Sequence, residues 1–307
     1  MTQILISEVG PRDGLQSIQS ILPFEAKCAW IAAEAAAGVR EIEVGSFVPA
    51  KVLPQLADTA EVVKYARTLP GLTVAVLVPN LKGAQAAVEA GAHKITIPLS
   101  VSETHSLRNV RRTHAQMLAE TRDIATLLRS VPSDRRPTLE GGLSTAFGCT
   151  LEGDVPADRV VALAEELMRA GCDEVGLADT TGYANPAQVK TLVRRVRLAV
   201  GEHALNGLHL HNTRGLGLAN VLAGLEVGIG TFDSSLGGLG GCPFAPGASG
   251  NIVTEDLVFM LEAMGLETGI DLPALFAARD TLRRALPESE ELYGFTPLAG
   301  LPLGFRP

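Results

Sequence analysis

Eight times along the chain a short run of β-branched and apolar residues is followed by a longer amphipathic stretch, and this alternation constrains the fold more than any other feature. The strand candidates span 4–9, 41–45, 73–78, 94–99, 138–145, 174–179, 205–211 and 231–236. The helix candidates between them span 24–37, 58–67, 81–90, 109–129, 157–170, 186–199, 215–227 and 254–264. A helix between two strands returns the chain to the end where the strand began, so neighbouring strands run parallel. Eight such units close most simply into a TIM (β/α)8 barrel. An open doubly wound sheet would normally carry G-x-G-x-x-G after its first strand, and VGPRDGLQ does not match it.

Four helix candidates end in a glycine that leads into the next strand, in AAAGVREIEV, VEAGAHKITI, MRAGCDEVGL and LEVGIGTFDSS, where a residue with positive φ is expected. The eight units consume residues 4–264, so 1–264 reads as one catalytic barrel and 265–307, rich in Pro and Gly, as a short C-terminal extension packed on it. Lys and Arg number 26 against 34 Asp and Glu, a net charge of −8, which argues against nucleic-acid partners. No apolar run reaches membrane-spanning length, and no basic leader precedes the first strand, so no membrane association is expected. Cys28, Cys149, Cys172 and Cys242 form no C-x-x-C pair, which suits a reducing, cytoplasmic setting, and the first three read as structural.

In barrels of this type the catalytic groups gather at the C-terminal ends of the strands. Polar residues expected there are Arg12 and Asp13 after the first strand, Glu43 in the second, Asp179 in the sixth, and His209 and His211 in the seventh. Two histidines two residues apart on a strand share a face at a spacing of about 7 Å and can converge on one ion. Asp13 can add a carboxylate oxygen and Asn251 an amide oxygen, a donor set suited to Mg²⁺ or Mn²⁺. Arg12 is placed to hold an oxyanion. Of Glu41 and Glu43, one is expected to face inward, with strand parity leaving open which. Cys242 lies in the glycine-rich segment 236–251, where a nearby cation would lower its thiol pKa and make it a candidate acid, base or nucleophile. His93, His105 and His114 read as surface residues.

The segments SEVGPRDGLQ (7–16), EVGSFVPAKVLPQLAD (43–58), VPNLKGAQAAVEAGA (78–92) and LGGLGGCPFAPGASGNIVTEDLVFML (236–261), together with the H-x-H strand, resemble the 3-hydroxy-3-methylglutaryl-CoA (HMG-CoA) lyase family from about residue 4 to 264. The resemblance implies that Asp13, His209, His211 and Asn251 bind the divalent cation and that Arg12 stabilises the enolate of the departing acyl-CoA. It further implies that Cys242 is the catalytic thiol, that Glu43 and Asp179 support the site, and that an acyl-CoA is cleaved to acetyl-CoA and acetoacetate. Barrels of this kind often pair through their outer helices, so a homodimer is the working expectation.

Three departures from the family pattern bear on the substrate. His-x-His is followed here by Asn212-Thr213-Arg214 in place of Asp-Thr-Tyr, Gln19 replaces a common Lys, and Gly142-Leu143-Ser144 replaces Tyr-Val-Ser. They leave open a related branched 3-hydroxyacyl-CoA such as citramalyl-CoA. A Claisen-type synthase of the isopropylmalate kind shares the RDG-x-Q turn but needs a larger C-terminal extension. The set of Asp13, His209, His211, Asn251, Arg12 and Cys242 argues against a non-catalytic binding barrel, a reading that a protein binding no divalent metal would restore.

Overall fold

The computed structural model describes residues 3–240, 250–295, 300–302 and 305. Strands β1 (Leu5–Glu8), β2 (Glu41–Ser46), β3 (Thr73–Leu77), β4 (Lys94–Ser100), β5 (Thr138–Ser144), β6 (Glu174–Asp179), β7 (Leu205–Leu210) and β8 (Thr231–Ser234) pair in parallel in sequence order. The register of Leu5 with Thr231 through Glu8 with Ser234 closes β8 onto β1. The result is a TIM barrel, as the alternation of elements predicts.

Helices α1 (Phe24–Ala36), α2 (Thr59–Ala66), α3 (Leu81–Ala90), α4 (Glu103–Asn109), α5 (His114–Ser130), α6 (Ala157–Ala170), α7 (Pro186–Val200), α8 (Gly217–Leu225), α9 (Thr254–Ala263) and α10 (Leu272–Ala285) surround it. Gly38, Gly91, Gly171 and Gly228 all take positive φ, between 82° and 108°, which confirms the shared helix-ending device. The helix expected over 109–129 is α5, which starts only at His114, and a separate short helix, α4, precedes it. Thr113 and Gln116 form a reciprocal capping box that starts α5 afresh, and Arg111 just before it has φ 57°. The extension is more regular than its composition suggests. Asp271 accepts the amide of Ala274 to cap α10, which packs chiefly on α1.

The apolar core lies between barrel and helices. Ile6, Ile42, Val74, Val76, Ile95, Ile97, Leu177, Leu208 and Phe232 are at most 2% exposed. The lumen, by contrast, is charged where such barrels normally stack branched aliphatics. Near its N-terminal end Lys94 meets Glu140 at 2.7 Å, Glu174 at 2.8 Å and Glu41 at 3.7 Å. Gly176 makes room for this cluster, because a Cβ there would come within 2.4 Å of Glu140 Oε1. No helix among the described residues is long and apolar enough to cross a membrane.

Candidate metal and acyl-CoA site

The site is assembled at the C-terminal mouth of the barrel. After β1 the chain winds through a π-helical turn, Gly10–Gly14, in which the amides of Arg12, Asp13 and Gly14 all reach the carbonyl of Val9. This turn carries Arg12 and Asp13. Arg12 Nε donates to Glu43 Oε2 at 2.5 Å and Nη1 donates to Asp13 Oδ1 at 2.6 Å. Glu41 and Glu43 both face the lumen, which corrects the expectation that one of them would. Residues i and i+2 of a strand share a face, so Glu41 reaches Lys94 at the lower end while Glu43 reaches Arg12 at the upper.

Asp13, His209 and His211 bring ligand atoms within 4.8 Å of one another. The two Nε2 atoms of the histidines lie 2.9 Å apart. An isolated antiparallel bridge pairs His211 with Asn251, and Ile252 N donates to the carbonyl of Leu210, so the chain after the glycine-rich segment lies along the end of β7. This sets Asn251 beside the cluster, where its Nδ2 donates to Asp13 Oδ2 at 2.7 Å. Gly240 is pressed against this arrangement with φ 111°, and a Cβ on it would meet Gly14 Cα at 2.9 Å.

Electrostatics favour a cation. Burial opposes ionisation of Asp13, but Arg12, His209 and His211 outweigh it and hold the carboxyl far below its usual range. Burial, aided by the positive charge of a protonated His209, pushes His211 down to about 3, so at neutral pH His211 is a neutral imidazole with a lone pair to give. Among the described residues, His211 Nδ1 and the acceptor Asn251 Oδ1 are buried without a hydrogen-bond partner. Two imidazoles, one carboxylate and one orphaned amide oxygen fit a divalent cation.

Sequence reasoning missed Asp233. Its Oδ2 lies 3.0 Å from His209 Nδ1, across the β7–β8 register that pairs these two residues. Burial works against a proton on His209, but Asp233 and Asp13 overcome it and raise its pKa. A proton on Nδ1 leaves the Nε2 lone pair directed at the cluster, the arrangement that metal-binding histidines use. The available signal was an acid at inward parity in the last strand.

Asp179 sits apart from the cluster and accepts the amides of Tyr183 and Ala184, so its oxygens shape the loop after β6. Arg214 holds the same loop through the carbonyls of Thr181 and Gly182, with its guanidinium 4.5 Å over the Tyr183 ring. Asn212 accepts the amide of Gly217 at the start of α8. Cys242 lies outside the described residues. Cys28, Cys149 and Cys172 are buried, in keeping with structural roles. His105, expected at the surface, is only 1% exposed and bonded to Ser100 Oγ, because Ser102 caps α4 and turns the helix inward.

A profile of the HMGL-like family matches residues 3–282. The chain belongs to the HMGL-like family. It is 41% identical over 279 residues to the hydroxymethylglutaryl-CoA lyase of Bacillus subtilis, covering 90% of this chain and 91% of that one. The cytoplasmic 3-hydroxy-3-methylglutaryl-CoA lyase of Rattus norvegicus is 40% identical over 283 residues, 92% of this chain and 81% of its own. Among solved structures, an HMG-CoA lyase of A. baumannii in complex with coenzyme A and 3-methylmalate superposes with a TM-score of 0.91 at 43% identity, covering 99% of this chain and 97% of that one. The carboxyl transferase domain of Rhizobium etli pyruvate carboxylase, at 18% identity and TM-score 0.69, shares the fold alone.

Proposed function

We propose that this HMGL-like chain is a carbon–carbon lyase that cleaves 3-hydroxy-3-methylglutaryl-CoA to acetyl-CoA and acetoacetate. The observation that carries the reading is the convergence of Asp13, His209, His211 and Asn251 beside the Arg12–Glu43 pair at the barrel mouth. The relatives cited above are named for HMG-CoA, which favours that acyl group over citramalyl-CoA and cleavage over Claisen condensation. A bound Mg²⁺ or Mn²⁺ would supply positive charge that holds the substrate's C3 hydroxyl with a neighbouring oxygen and lowers the hydroxyl pKa.

The residues divide the remaining work. Asp13, His209, His211 and Asn251 are the groups that would hold the cation. Asp233 keeps the proton of His209 on Nδ1 and its Nε2 free. As the C3 hydroxyl gives its proton to solvent and becomes the ketone of acetoacetate, the C2–C3 electron pair passes into the thioester as an enolate, and Arg12 is the fixed charge positioned to stabilise that oxygen. Glu43 and Asp13 hold the guanidinium in place and offset the cost of burying its charge. Cys242 is the acid that returns a proton to C2 of the enolate, and Asp179 supports the site by shaping the loop after β6.

The test is coupled detection of acetyl-CoA and acetoacetate from reduced protein loaded with Mg²⁺ or Mn²⁺. No cleavage would sink the proposal, and pyruvate in place of acetoacetate would reassign the acyl group to the citramalyl type.

A further inference from the structure

Glu8 ends β1 on the outer face of the strand, following Ile4 and Ile6, and has no exposed surface. An apolar side chain would suit that parity. Burial pushes its carboxyl up to about 8, a cost that an aliphatic residue would avoid. Three hydrogen bonds account for both oxygens. Oε1 accepts the amides of Gly10 at 2.8 Å and Leu236 at 3.0 Å, and Oε2 accepts the Thr254 hydroxyl at 2.7 Å.

These partners begin or end separate pieces of the site. Gly10 opens the turn that carries Arg12 and Asp13, and a Cβ at Gly10 would come within 2.5 Å of Glu8 Oε1. Leu236 opens the glycine-rich stretch after β8, and Thr254 follows Asn251 by three residues. Thr254 is itself held, by Ser234 Oγ at 2.8 Å and through its amide to the Ser235 carbonyl. Asp13 and Asn251 are far apart in sequence, and their side chains meet at 2.7 Å. Beneath them, Glu8 bonds both chain segments, through Gly10 and Thr254.

We propose that Glu8 is a positioning residue of the cation site, setting the spacing of Asp13 and Asn251 through Gly10 and Thr254 without touching cation or substrate. The proposal rests on the cation reading given above. Removing one bond loosens the relative placement of two ligands, so affinity for the cation falls although every ligand remains.

The test compares Mn²⁺ binding, followed by the electron paramagnetic resonance of free Mn²⁺, in wild type, Glu8→Leu, Thr254→Val and Thr254→Ser, with circular dichroism to establish folding. Glu8→Leu keeps much of the side-chain volume and removes the groups that bond Gly10, Leu236 and Thr254. Glu8→Leu and Thr254→Val should each weaken Mn²⁺ binding at least tenfold and lower kcat more than they raise KM, while Thr254→Ser, which keeps the hydroxyl, stays near wild type. Val matches the shape of Thr, so a role in packing alone predicts the reverse order for the two Thr254 variants. Mn²⁺ affinity within twofold of wild type in folded Glu8→Leu overturns the proposal. If Glu8→Leu does not fold, the Val and Ser pair decides by the same criterion. Wild-type protein that takes up no Mn²⁺ overturns the cation reading and this proposal with it.

Discussion

Replacing Asp233 by Asn isolates what a charged partner does for His209. The change keeps size and shape but removes the negative charge 3.0 Å from Nδ1. A hydrogen bond to a charged group contributes about 1.5–3 kcal/mol, against about 0.5–1.5 for a neutral pair. About 27% of the Asp233 side chain and 16% of the His209 side chain is exposed, so solvent screening places the loss toward the lower end. A loss of about 1.4 kcal/mol is about tenfold in affinity. Asn can also turn its amide N–H toward Nδ1, which would fix the proton on Nε2 and occupy the lone pair that faces Asp13 and His211. That inversion adds to the loss, giving about 10- to 100-fold in all, the usual range for partners of metal-binding histidines. Mn²⁺ titration and steady-state release of acetyl-CoA measure the two consequences, and Asp233→Ala separates lost charge from inverted tautomer. Affinity and kcat/KM both within twofold of wild type in Asp233→Asn would refute the assignment of the Nδ1 proton.

Further perturbations address the other groups. Arg12→Gln should lower kcat by about 10²–10³ with a smaller change in KM, because its charge meets the enolate only as the bond breaks; equal changes in both would remove it from the transition state. His211→Ala deletes a candidate ligand, and Mn²⁺ binding should fall well beyond the effect of Asp233→Asn, with an unchanged titration excluding His211 from the cation. Cys242→Ser should retain Mn²⁺ binding and fold while losing most turnover, and full activity would exclude the thiol as the acid. In the lumen, burial raises the Glu140 carboxyl to about 7 despite Lys94. An unfolded chain releases that proton nearer pH 4.5, so Glu140 contributes a stability that is full below pH 4.5 and declines as pH rises to 7. Chemical unfolding of Glu140→Gln should therefore show a flatter pH dependence over that interval; a slope equal to that of wild type would contradict the shift.

What could be read in the sequence was periodic or local. The eight strands announce themselves by short apolar runs, and four helix ends by glycines whose φ is indeed positive. His209 and His211 were visible because strand geometry brings residues two apart onto one face. Asp233 and Glu8 were not, since what each does depends on partners 24 and more than 200 residues away, fixed by barrel closure. Glu8 even lay inside the recognised segment 7–16, where an acid beside RDG draws no notice until its outward parity is known. The same limit explains His105, whose burial follows from the turn into α4, whereas the common face of Glu41 and Glu43 is legible in the sequence, because residues two apart on a strand point the same way.

The closed barrel also shows how an acidic chain can accept an anionic thioester. With a net charge of −8, long-range attraction is absent, and the acids in the lumen alone would repel the substrate. Glu41, Glu140 and Glu174 are gathered around Lys94 at the lower end, away from the mouth. At the mouth the charges are arranged differently: Glu43 and Asp13 are engaged by Arg12, while Arg108 in the last turn of α4, Arg111 just beyond it and Arg214 after β7 are exposed. A cation held by Asp13 would then shift the balance at the reacting carbon further toward positive. Local segregation of charge along the barrel axis thus does what net charge cannot, and it requires β2, β5 and β6 to place Glu41, Glu140 and Glu174 beside Lys94 of β4, at the end opposite the chemistry.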